Sequence, residues 1–410
     1  MKVKIIKGTK QIGGCITEIS CNNTKIIIDF GNELDNDNSF ELKGLTKGKS
    51  IYDAVFITHS HSDHIGLINK INKDIPIYIE KSTLKIHNLT CDFTNSKKVN
   101  RNVNTFEIKH NTKKENKEDR IIFRNKDLKV YAYMGDHSSY NSCMFLIEGD
   151  NKKILHTGDF RMHGRKNHVI ENSLKKIGKV DMLITEGTTL TRSDNDFISE
   201  ETLEKKALDI MKKYDQILLM QSSTNFDRTT SFLRSSIRAN KKFILDLFSF
   251  HLQNVINRFI NIDNQNVYLW KPYKYNFKDD KFKEKYLNID NNLDGAFPYF
   301  TMEVKESMLV DIKMLYKKGL LKNACLIYSM WEGYAKEKKL TNFFNELKLM
   351  NIEIINLHTS GHADTKAFKK INDLVNPNQT IIIHTEDKQK ASNLLNNIIS
   401  ANDNEYIEIK

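Results

Sequence analysis

The distribution of apolar and polar residues predicts a chain whose first part consists mainly of short strands. Eight segments rich in β-branched and aromatic residues are bounded by turn-forming residues, as is typical of strands. They are CITEIS, KIIIDF, DAVFITHS, PIYIE, KVYAYMG, CMFLIE, KKILHTGD and DMLITEG. Short helices fit between them, and one is predicted to begin near Asp63.

From about Ser199 the pattern changes to helices that alternate with buried strands. The segment SEETLEKKALDIMKKYD carries apolar residues at helical spacing, and further helical segments separate the apolar runs QILLMQ, KFILDL and ACLIYSM. This alternation predicts a doubly wound α/β unit. Strand character returns in IEIINLH and TIIIHTE. We therefore expect an α/β protein in which an insert at 199–350 interrupts a β-rich domain made of 1–198 and 351–410.

Composition narrows the class of partner. The chain has 63 Lys and Arg against 52 Asp and Glu, a net charge of +11, and its pI is about 9.1. This balance favours a polyanionic partner, most commonly nucleic acid, although a Lys/Asn-rich proteome produces the same excess. The five cysteines include no CxxC pair, which indicates reduced thiols.

The sequence also favours a cytoplasmic protein without a membrane partner. No apolar run approaches the ~18 residues of a membrane-spanning helix. The first ten residues, MKVKIIKGTK, lack the apolar core of a signal peptide.

Four potential metal ligands follow one predicted strand in the segment THSHSDHIG. His59 and His61 can face one ion, because alternate residues at the end of a strand point the same way. The next turn brings Asp63 and His64 to a second position. Imidazoles combined with a carboxylate suit Zn²⁺, and mixed nitrogen and oxygen sites also bind Mn²⁺.

Three more candidate ligands stand at the ends of other predicted strands. They are His137 in GDHSSYNSC, Asp159 in HTGDF and His384 in IIIHTE. A carboxylate such as that of Asp159 can bridge two ions, so the pattern predicts a site for two Zn²⁺. Asp29, in IIIDFG, either orients a histidine ligand from behind or is a turn aspartate before glycine.

A second candidate site follows the predicted strand QILLMQ, in the segment QSSTNFDRTT. Polar residues near a helix N-terminus, with an arginine one turn further on, can bind a substrate phosphate such as a 5′-monophosphate. The residues concerned are Ser222, Ser223, Asn225 and Arg228. Capping of the helix by the same serine and asparagine side chains is the alternative.

The segment HTSGHA, at 358–363, places two histidines four residues apart. On a helix this spacing could hold a metal ion, but the segment follows the predicted strand IEIINL, so we predict a glycine-containing turn. His358 and Ser360 would then face the same groove as the predicted phosphate site. A structural role for His358 is the alternative.

Three segments in order, THSHSDHIG, GDHSSYNSC and HTGDF, resemble motifs of the metallo-β-lactamase superfamily. The segments ITEGTT, HTSGHA and IIIHTE are similar to motifs of its β-CASP branch of nucleic-acid nucleases, which includes ribonuclease J and the mRNA 3′-end processing nuclease. The resemblance covers essentially the whole chain. It implies a metallo-β-lactamase αββα sandwich with an inserted α/β β-CASP domain.

The resemblance also implies two groups of zinc ligands joined by one carboxylate. The first zinc would be held by His59, His61 and His137, and the second by Asp63, His64 and His384. Asp159 and a hydroxide would bridge them.

The remaining matched residues indicate the general acid and the class of substrate. Glu186 would pair with His362, which would act as the general acid, while Asp63 and Asp159 would act at the reaction centre. DNA-processing members typically lack histidine at the third branch motif, so His384 favours RNA. We therefore expect a zinc-dependent ribonuclease that acts on single-stranded RNA by two-metal hydroxide attack, endonucleolytically, from the 5′ end, or both.

Three other readings remain open. The first is a DNA-directed β-CASP nuclease. The second is a small-molecule metallo-hydrolase acting on an ester, lactone or thioester, against which the insert argues. The third is a binding protein with a decayed site, against which the intact ligand set argues. A homodimer is one assembly that the resemblance allows, although ribonuclease J usually dimerises through a C-terminal domain and this sequence has 26 residues after His384.

Overall fold

The structure is a computed structural model of the 410-residue chain. It describes residues 1–33, 40–108, 116–190, 192, 197–256, 266–271, 286–287, 298–387 and 389–410. The chain forms two compact units, one made of residues 1–197 and 361–410 and the other of residues 198–360. None of the described helices is long and apolar enough to cross a membrane.

The end of the insert differs from the sequence prediction. The sequence places that boundary at 350, but the strand Glu353–Asn356 pairs in parallel with the strand Ala324–Ser329 of the second unit. Because this strand extends the edge of the insert's sheet, residues 351–360 group with the second unit and not with the C-terminal segment.

The first unit contains two sheets. The first sheet consists of β1 (Lys2–Lys7), β2 (Ile16–Cys21), β3 (Thr24–Ile28), β4 (Ala54–Ile57), β5 (Ile77–Glu80), β6 (Asn104–Phe106) and β20 (Tyr406–Glu408). The second sheet consists of β7 (Ile121–Arg124), β8 (Lys129–Met134), β9 (Cys143–Gly149), β10 (Lys152–His156), β11 (Met182–Glu186) and β19 (Gln379–Ile383). Their strand orders are β20-β1-β2-β3-β4-β5-β6 and β19-β11-β10-β9-β8-β7.

Apolar residues of the two sheets pack against each other, and helices cover the outer faces. The shared core includes Ile26 and Phe56 of the first sheet and Phe145 and Ile184 of the second. The helices of this unit are α1 (Ser62–Ile65), α2 (Lys81–Thr94), α3 (Asn167–Ile177) and α10 (Thr365–Val375). Helices α3 and α10 pack on the outer face of the second sheet, while α1 and the short 3-10 turn Ile68–Lys70 pack on that of the first. The layers are therefore helix, sheet, sheet and helix.

The second unit contains one parallel sheet with helices on both faces. Its strands are β12 (Gln216–Gln221), β13 (Lys242–Leu245), β14 (Val267–Trp270), β15 (Tyr286–Leu287), β16 (Phe300–Glu303), β17 (Ala324–Ser329) and β18 (Glu353–Asn356), in the order β15-β14-β13-β16-β12-β17-β18. All its strand pairs are parallel, as a doubly wound unit requires.

Helices α4 (Glu200–Lys213), α5 (Phe226–Arg238) and α6 (Leu247–Val255) cover one face of this sheet. Helices α7 (Leu309–Lys317) and α9 (Lys338–Leu349) cover the other, preceded respectively by the 3-10 turn Glu306–Met308 and by the short helix α8 (Glu332–Ala335). One of the helical segments predicted between KFILDL and ACLIYSM is HLQNVINRFI, at 251–260, and its last four residues lie outside the described residues.

Candidate metal centre

The predicted metal ligands follow the carboxyl ends of four strands of the first unit. His59 and His61 follow β4, His137 follows β8, Asp159 follows β10 and His384 follows β19. Strands β8 and β10 run in the same direction because each is antiparallel to β9, and β11 and β19 are parallel to β10 in turn. The topology therefore brings His137, Asp159 and His384, which are far apart in the sequence, to one edge of the second sheet. His59 and His61 follow β4 of the first sheet, and the residue before them, Thr58, accepts a hydrogen bond from the Cys143 N–H of the second sheet at 2.8 Å.

One group of donors consists of three histidines. His61 Nδ1 lies 3.1 Å from His59 Nε2 and 3.1 Å from His137 Nε2. Hydrogen bonds on the far side of two of the rings fix their tautomers. His137 Nδ1 donates to the Gly361 carbonyl at 2.6 Å. Thr58 donates its hydroxyl proton to Asp29, so it accepts from His59 Nδ1 at 3.0 Å. Both Nε2 atoms are thus left as acceptors facing His61.

A second group consists of Asp63, His64 and His384. His384 Nε2 lies 3.0 Å from Asp63 Oδ2, and His64 Nε2 lies 3.6 Å from the same oxygen. His64 Nδ1 donates to Asp29 at 2.7 Å, and Thr188 Oγ1 lies 2.7 Å from His384 Nδ1. Here too the Nε2 atoms point toward the centre of the cluster.

The Asp159 carboxylate lies between the two groups. Its Oδ2 is 3.8 Å from His59 Nε2 and 3.8 Å from His137 Nε2 on one side. On the other side it is 3.3 Å from His64 Nε2 and 3.9 Å from His384 Nε2. The structure thus places Asp159 where a carboxylate shared by both groups would have to lie.

Burial lowers the pKa of the first three histidines. The pKa of His61 falls to about 4, and those of His59 and His137 fall well below the usual value, because desolvation and neighbouring imidazoles oppose their positive charge. These rings are therefore neutral at physiological pH, which is the form in which histidine binds a metal.

The carboxylates shift the pKa values of the second group in the opposite direction. Burial lowers the pKa of His64 and His384, but Asp159 and Asp63 outweigh it and leave both pKa values raised. Burial likewise raises the pKa of Asp63 and Asp159, but the nearby histidines outweigh it and hold both pKa values low. These shifts favour the charged forms of all four groups, positive on the two histidines and negative on the two aspartates.

These observations test whether the cluster suits a divalent metal. His64 Nε2 is buried and has no well-aligned hydrogen-bond partner in the described part of the chain, although Asp159 lies 3.3 Å away. Four of the five histidines use Nδ1 for a protein partner and turn Nε2 inward. Buried polar atoms are normally hydrogen-bonded, and the partner of a metal-binding histidine normally lies on its other nitrogen. The residues therefore fit a divalent metal.

Several residues that hold the ligands were not anticipated from the sequence. Thr58 donates to Asp29 from both its backbone nitrogen and its hydroxyl, each at 2.7 Å. Thr188 and the Gly361 carbonyl orient His384 and His137. Thr188 belongs to ITEGTT, and Gly361 precedes His362, so membership in the motifs was the available signal. Asp29 itself contacts His64, as it would if it oriented a ligand from behind.

Backbone conformation supports the same arrangement. His384 has a φ of +55°, an uncommon conformation for a residue other than glycine that is often found at functional sites. Gly31 packs against the loop of Asp63, where a Cβ atom would lie 1.7 Å from the Asp63 carbonyl oxygen. Only glycine fits there, so Gly31 fixes how closely the Asp63 loop approaches β3.

His362 lies beside the cluster and is held by Glu186. His362 Nδ1 lies 3.1 Å and 3.0 Å from the two oxygens of Glu186, and 3.7 Å from Asp159 Oδ2. Glu186 is fixed in turn by the backbone N–H groups of Phe160 and Thr188, at 3.1 Å and 3.2 Å. The His362 side chain is 21% exposed, so a substrate can reach a ring whose orientation is set from behind.

The predicted phosphate site in the second unit requires a correction at Arg228. This side chain is fully buried, and its guanidinium donates to Glu200, to the carbonyl and hydroxyl of Ser329, and to the Thr359 carbonyl, at 2.6–3.4 Å. Because all of its nitrogen atoms are engaged, Arg228 connects α4, β17 and the segment after β18 and does not bind a phosphate.

The other residues of that predicted site differ in exposure and in their hydrogen-bond partners. The Asn225 side chain accepts from the Arg228 N–H at 3.1 Å and caps α5, which was the alternative reading. Ser223 is buried and its hydroxyl lies 3.5 Å from Glu303 Oε1. Ser222 is exposed and lines a cavity of about 290 Å³. His358 Nδ1 lies 3.2 Å from the Ser329 carbonyl, and Ser360 is buried.

Comparison with known proteins shows what this chain is similar to. Residues 24–213 match the model of the beta-lactamase superfamily domain. A protein of unknown function from Enterococcus faecalis, solved by crystallography, superimposes with a TM-score of 0.79 over 99% of both chains at 20% sequence identity. That likeness shows the fold alone, and it confirms the predicted fold class.

Curated relatives named Ribonuclease J match most of the chain at low identity. The Helicobacter pylori protein is 21% identical over 94% of this chain, and the Pyrococcus abyssi protein is 22% identical over 94% of this chain and 90% of its own length. The chain spans 56% of the length of the Helicobacter relative. Residues 24–213 therefore carry a beta-lactamase superfamily domain, and most of the chain is similar to curated proteins named Ribonuclease J.

Proposed function

We propose that the protein is a metal-dependent ribonuclease that hydrolyses phosphodiester bonds of single-stranded RNA. The observation that carries the proposal is the His362–Glu186 pair, 3.0 Å apart, beside a convergent cluster of five histidines and two aspartates. A cluster of donors can bind a metal, and an oriented histidine next to it can transfer a proton to the leaving group. The curated relatives named Ribonuclease J support RNA as the substrate.

The proposal assigns each group of donors to one metal ion. His59, His61 and His137 would hold one ion, Asp63, His64 and His384 the other, and Asp159 would contact both. Zinc suits this set of imidazoles and carboxylates, and manganese is the alternative. When bound, two metal ions neutralise the charge of a phosphodiester and lower the pKa of water.

His362 would supply the proton that the leaving 3′-oxygen needs. Its Nδ1 is engaged by Glu186, so the proposal assigns the proton transfer to Nε2. A carboxylate behind the imidazole fixes its tautomer and stabilises its protonated form. Because Glu186 also accepts from three backbone N–H groups, those of Phe160, Thr188 and Ala363, the pair is held rigidly before the substrate arrives.

The test is cleavage of an internally labelled single-stranded RNA by the purified protein and by His362→Ala. We expect the variant to be slower by about 10²–10⁴-fold, the contribution of general acid catalysis, with the metal content of the wild type. His168→Ala is the matched control, because His168 is an exposed histidine of α3 in the same unit. A variant that loses metal, or that keeps full activity, would contradict the role of His362.

Two substrate comparisons make the proposal more specific. A DNA strand of the same sequence should be cleaved much more slowly than the RNA. Equal or faster cleavage of the DNA would contradict RNA as the preferred substrate and would favour a DNA-directed nuclease. RNAs carrying a 5′-monophosphate, a 5′-triphosphate or a 5′-hydroxyl should differ in rate if Ser222, His358 and Ser360 contact a 5′-phosphate. Equal rates would remove that role from all three residues.

A further inference from the structure

A buried cysteine lies within the second group of donors. Cys15 is 1% exposed and immediately precedes β2. Its Sγ and the ligand nitrogens of His64 and His384 all lie within 4.8 Å of one another. Zinc binds sulfur at ~2.3 Å and imidazole nitrogen at ~2.0–2.1 Å, so the three atoms are close enough to share one ion after small adjustments.

The backbone around Cys15 is tied to the same ligands. The Cys15 N–H donates to the Asp63 carbonyl at 3.2 Å, and the His384 N–H donates to the Gly8 carbonyl at 2.7 Å. Gly8 has a φ of +120°, and a Cβ atom there would lie 3.1 Å from Cys15 Sγ. The end of β1, the start of β2 and two ligand loops therefore hold the thiol in place.

Other buried cysteines of the chain have different surroundings. The thiols of Cys21, Cys91 and Cys143 each point to a backbone carbonyl, at 3.4–3.7 Å, and Cys91 also lies 3.5 Å from the single imidazole of His87. Such contacts are ordinary for a cysteine that serves as a small apolar residue. Cys15 instead faces two imidazoles, and one of them, His64, presents a buried Nε2 without a well-aligned partner among the described residues.

We propose that Cys15 is a further donor to the metal position formed by Asp63, His64 and His384, and that this position therefore selects zinc over manganese. The inference rests on the proposed metal-dependent function and deepens it by naming the class of metal. A thiolate is a soft ligand that favours zinc, cobalt and cadmium, whereas manganese prefers carboxylate and water oxygens. On binding, the thiol proton passes to solvent and the sulfur bonds to the metal as a thiolate.

Cobalt titration of the metal-free full-length protein tests this proposal without measuring activity. Visible d–d bands report bound Co²⁺, and a near-ultraviolet charge-transfer band reports a thiolate bound to it. We expect both in the wild type, and we expect Cys15→Ser to keep the d–d bands and lose the charge-transfer band. Zinc affinity should fall on the order of tenfold or more in this variant, while manganese affinity should stay within twofold, roughly the scatter expected where no manganese–sulfur bond is lost.

Two further variants provide the controls. Cys21→Ser should keep the charge-transfer band, because a serine hydroxyl can still donate to the Asp127 carbonyl that Cys21 contacts. A chain in which the other four cysteines are serine, with Cys15 retained, should also keep the band, and this variant decides the matter if Cys15→Ser fails to fold.

A result that contradicts the role of Cys15 can be distinguished from one that contradicts the metal centre as a whole. Wild-type d–d bands without a charge-transfer band, or a charge-transfer band that survives in Cys15→Ser, would overturn the role of Cys15 and leave the proposed ribonuclease intact. Failure to bind any cobalt would contradict the metal centre itself, and with it both proposals.

Discussion

Each unit of the molecule contains a buried cluster of charged and polar side chains, and the two clusters are satisfied in different ways. Around Arg228 each guanidinium nitrogen has an acceptor in Glu200, Ser329 or Thr359, at 2.6–3.4 Å. Around Asp159 five histidine nitrogens lie 3.3–3.9 Å from one carboxylate oxygen, mostly beyond the usual length of a hydrogen bond.

The difference separates a structural cluster from a candidate site. Native proteins satisfy nearly all their buried polar atoms, so a saturated cluster needs nothing further. A cluster whose inward-facing atoms converge without saturating one another leaves room for an additional group. Both clusters are buried and contain charged side chains, so burial and charge alone do not distinguish them. What distinguishes them is where the polar atoms point: toward partners within the cluster around Arg228, and toward a common centre around Asp159.

The largest stability effect should come from breaking the saturated cluster. Arg228→Ala leaves the Glu200 carboxylate buried without its cation, and removal of one partner from a buried ion pair costs about 3–5 kcal/mol. The chain has two tryptophans, and both Trp270 and Trp331 belong to the second unit. Denaturation followed by tryptophan fluorescence therefore measures the stability of the unit that contains Arg228.

The chain offers a matched control on the same pair of helices. Arg238 pairs with Glu204 at 2.8 Å, again between α5 and α4, but its side chain is 56% exposed. Glu204 is buried, but water reaches the guanidinium of Arg238, so Arg238→Ala should cost clearly less than Arg228→Ala, closer to the ~1 kcal/mol of a surface ion pair. Equal losses from the two variants would show that Arg228 is not a structural anchor, and retained stability in Arg228→Ala would reopen its predicted role in phosphate binding.

A pH-dependent effect should come from Glu303, a buried carboxyl group that belongs to neither of the two clusters. Burial and the nearby Asp246 raise the pKa of Glu303 to about 8, although Lys305 opposes the shift. Between about pH 4.5 and 8 the unfolded chain loses this proton and the folded chain keeps it. The stability of the second unit should therefore fall as pH rises through that window, by at most about 1.4 kcal/mol per pH unit.

Glu303→Gln should flatten this pH dependence, because an amide does not titrate. The exposed neighbour Glu306 provides the control, and Glu306→Gln should leave the dependence unchanged. Tryptophan fluorescence is again the measurement, with denaturant titrations at about pH 5 and about pH 8. A wild type that is equally stable at both values would show that Glu303 is ionised in the folded unit.

Much of the fold was predictable because each strand has a local signal. All eight predicted strands of the first part are present, from CITEIS at β2 to DMLITEG at β11. The strand IEIINLH was also predicted, but its membership in the sheet of the second unit was not. Which sheet a strand joins depends on pairing with β17, and a sequence window of a few residues does not contain that information.

The residues of the candidate site also fall into two groups, those that the sequence predicts and those that only the structure reveals. Strand ends and clustered histidines carry the ligands, so their positions can be read from the sequence. The contacts of Cys15, Thr58 and Thr188 depend on how separate loops meet, and common residue types give no local signal of them. Arg228 shows the converse, since its placement near a helix N-terminus suggested an anion site while its burial among acceptors excludes one.

The smallest predicted effect concerns Asp29, where the two kinds of cluster meet. Asp29 is itself saturated, because it accepts from Thr58 and from His64 Nδ1 at 2.7 Å, yet it supports a histidine of the unsaturated centre. Asp29→Asn should weaken metal binding about 10–100-fold, the usual effect of removing a carboxylate behind a ligand. Asp53→Asn is the control, since Asp53 is an exposed aspartate of the same unit that accepts from the Lys25 N–H. Cobalt titration of both variants measures the difference. Unchanged affinity in Asp29→Asn would mean that His64 needs no carboxylate to orient it, and that Asp29 serves only the turn that follows β3.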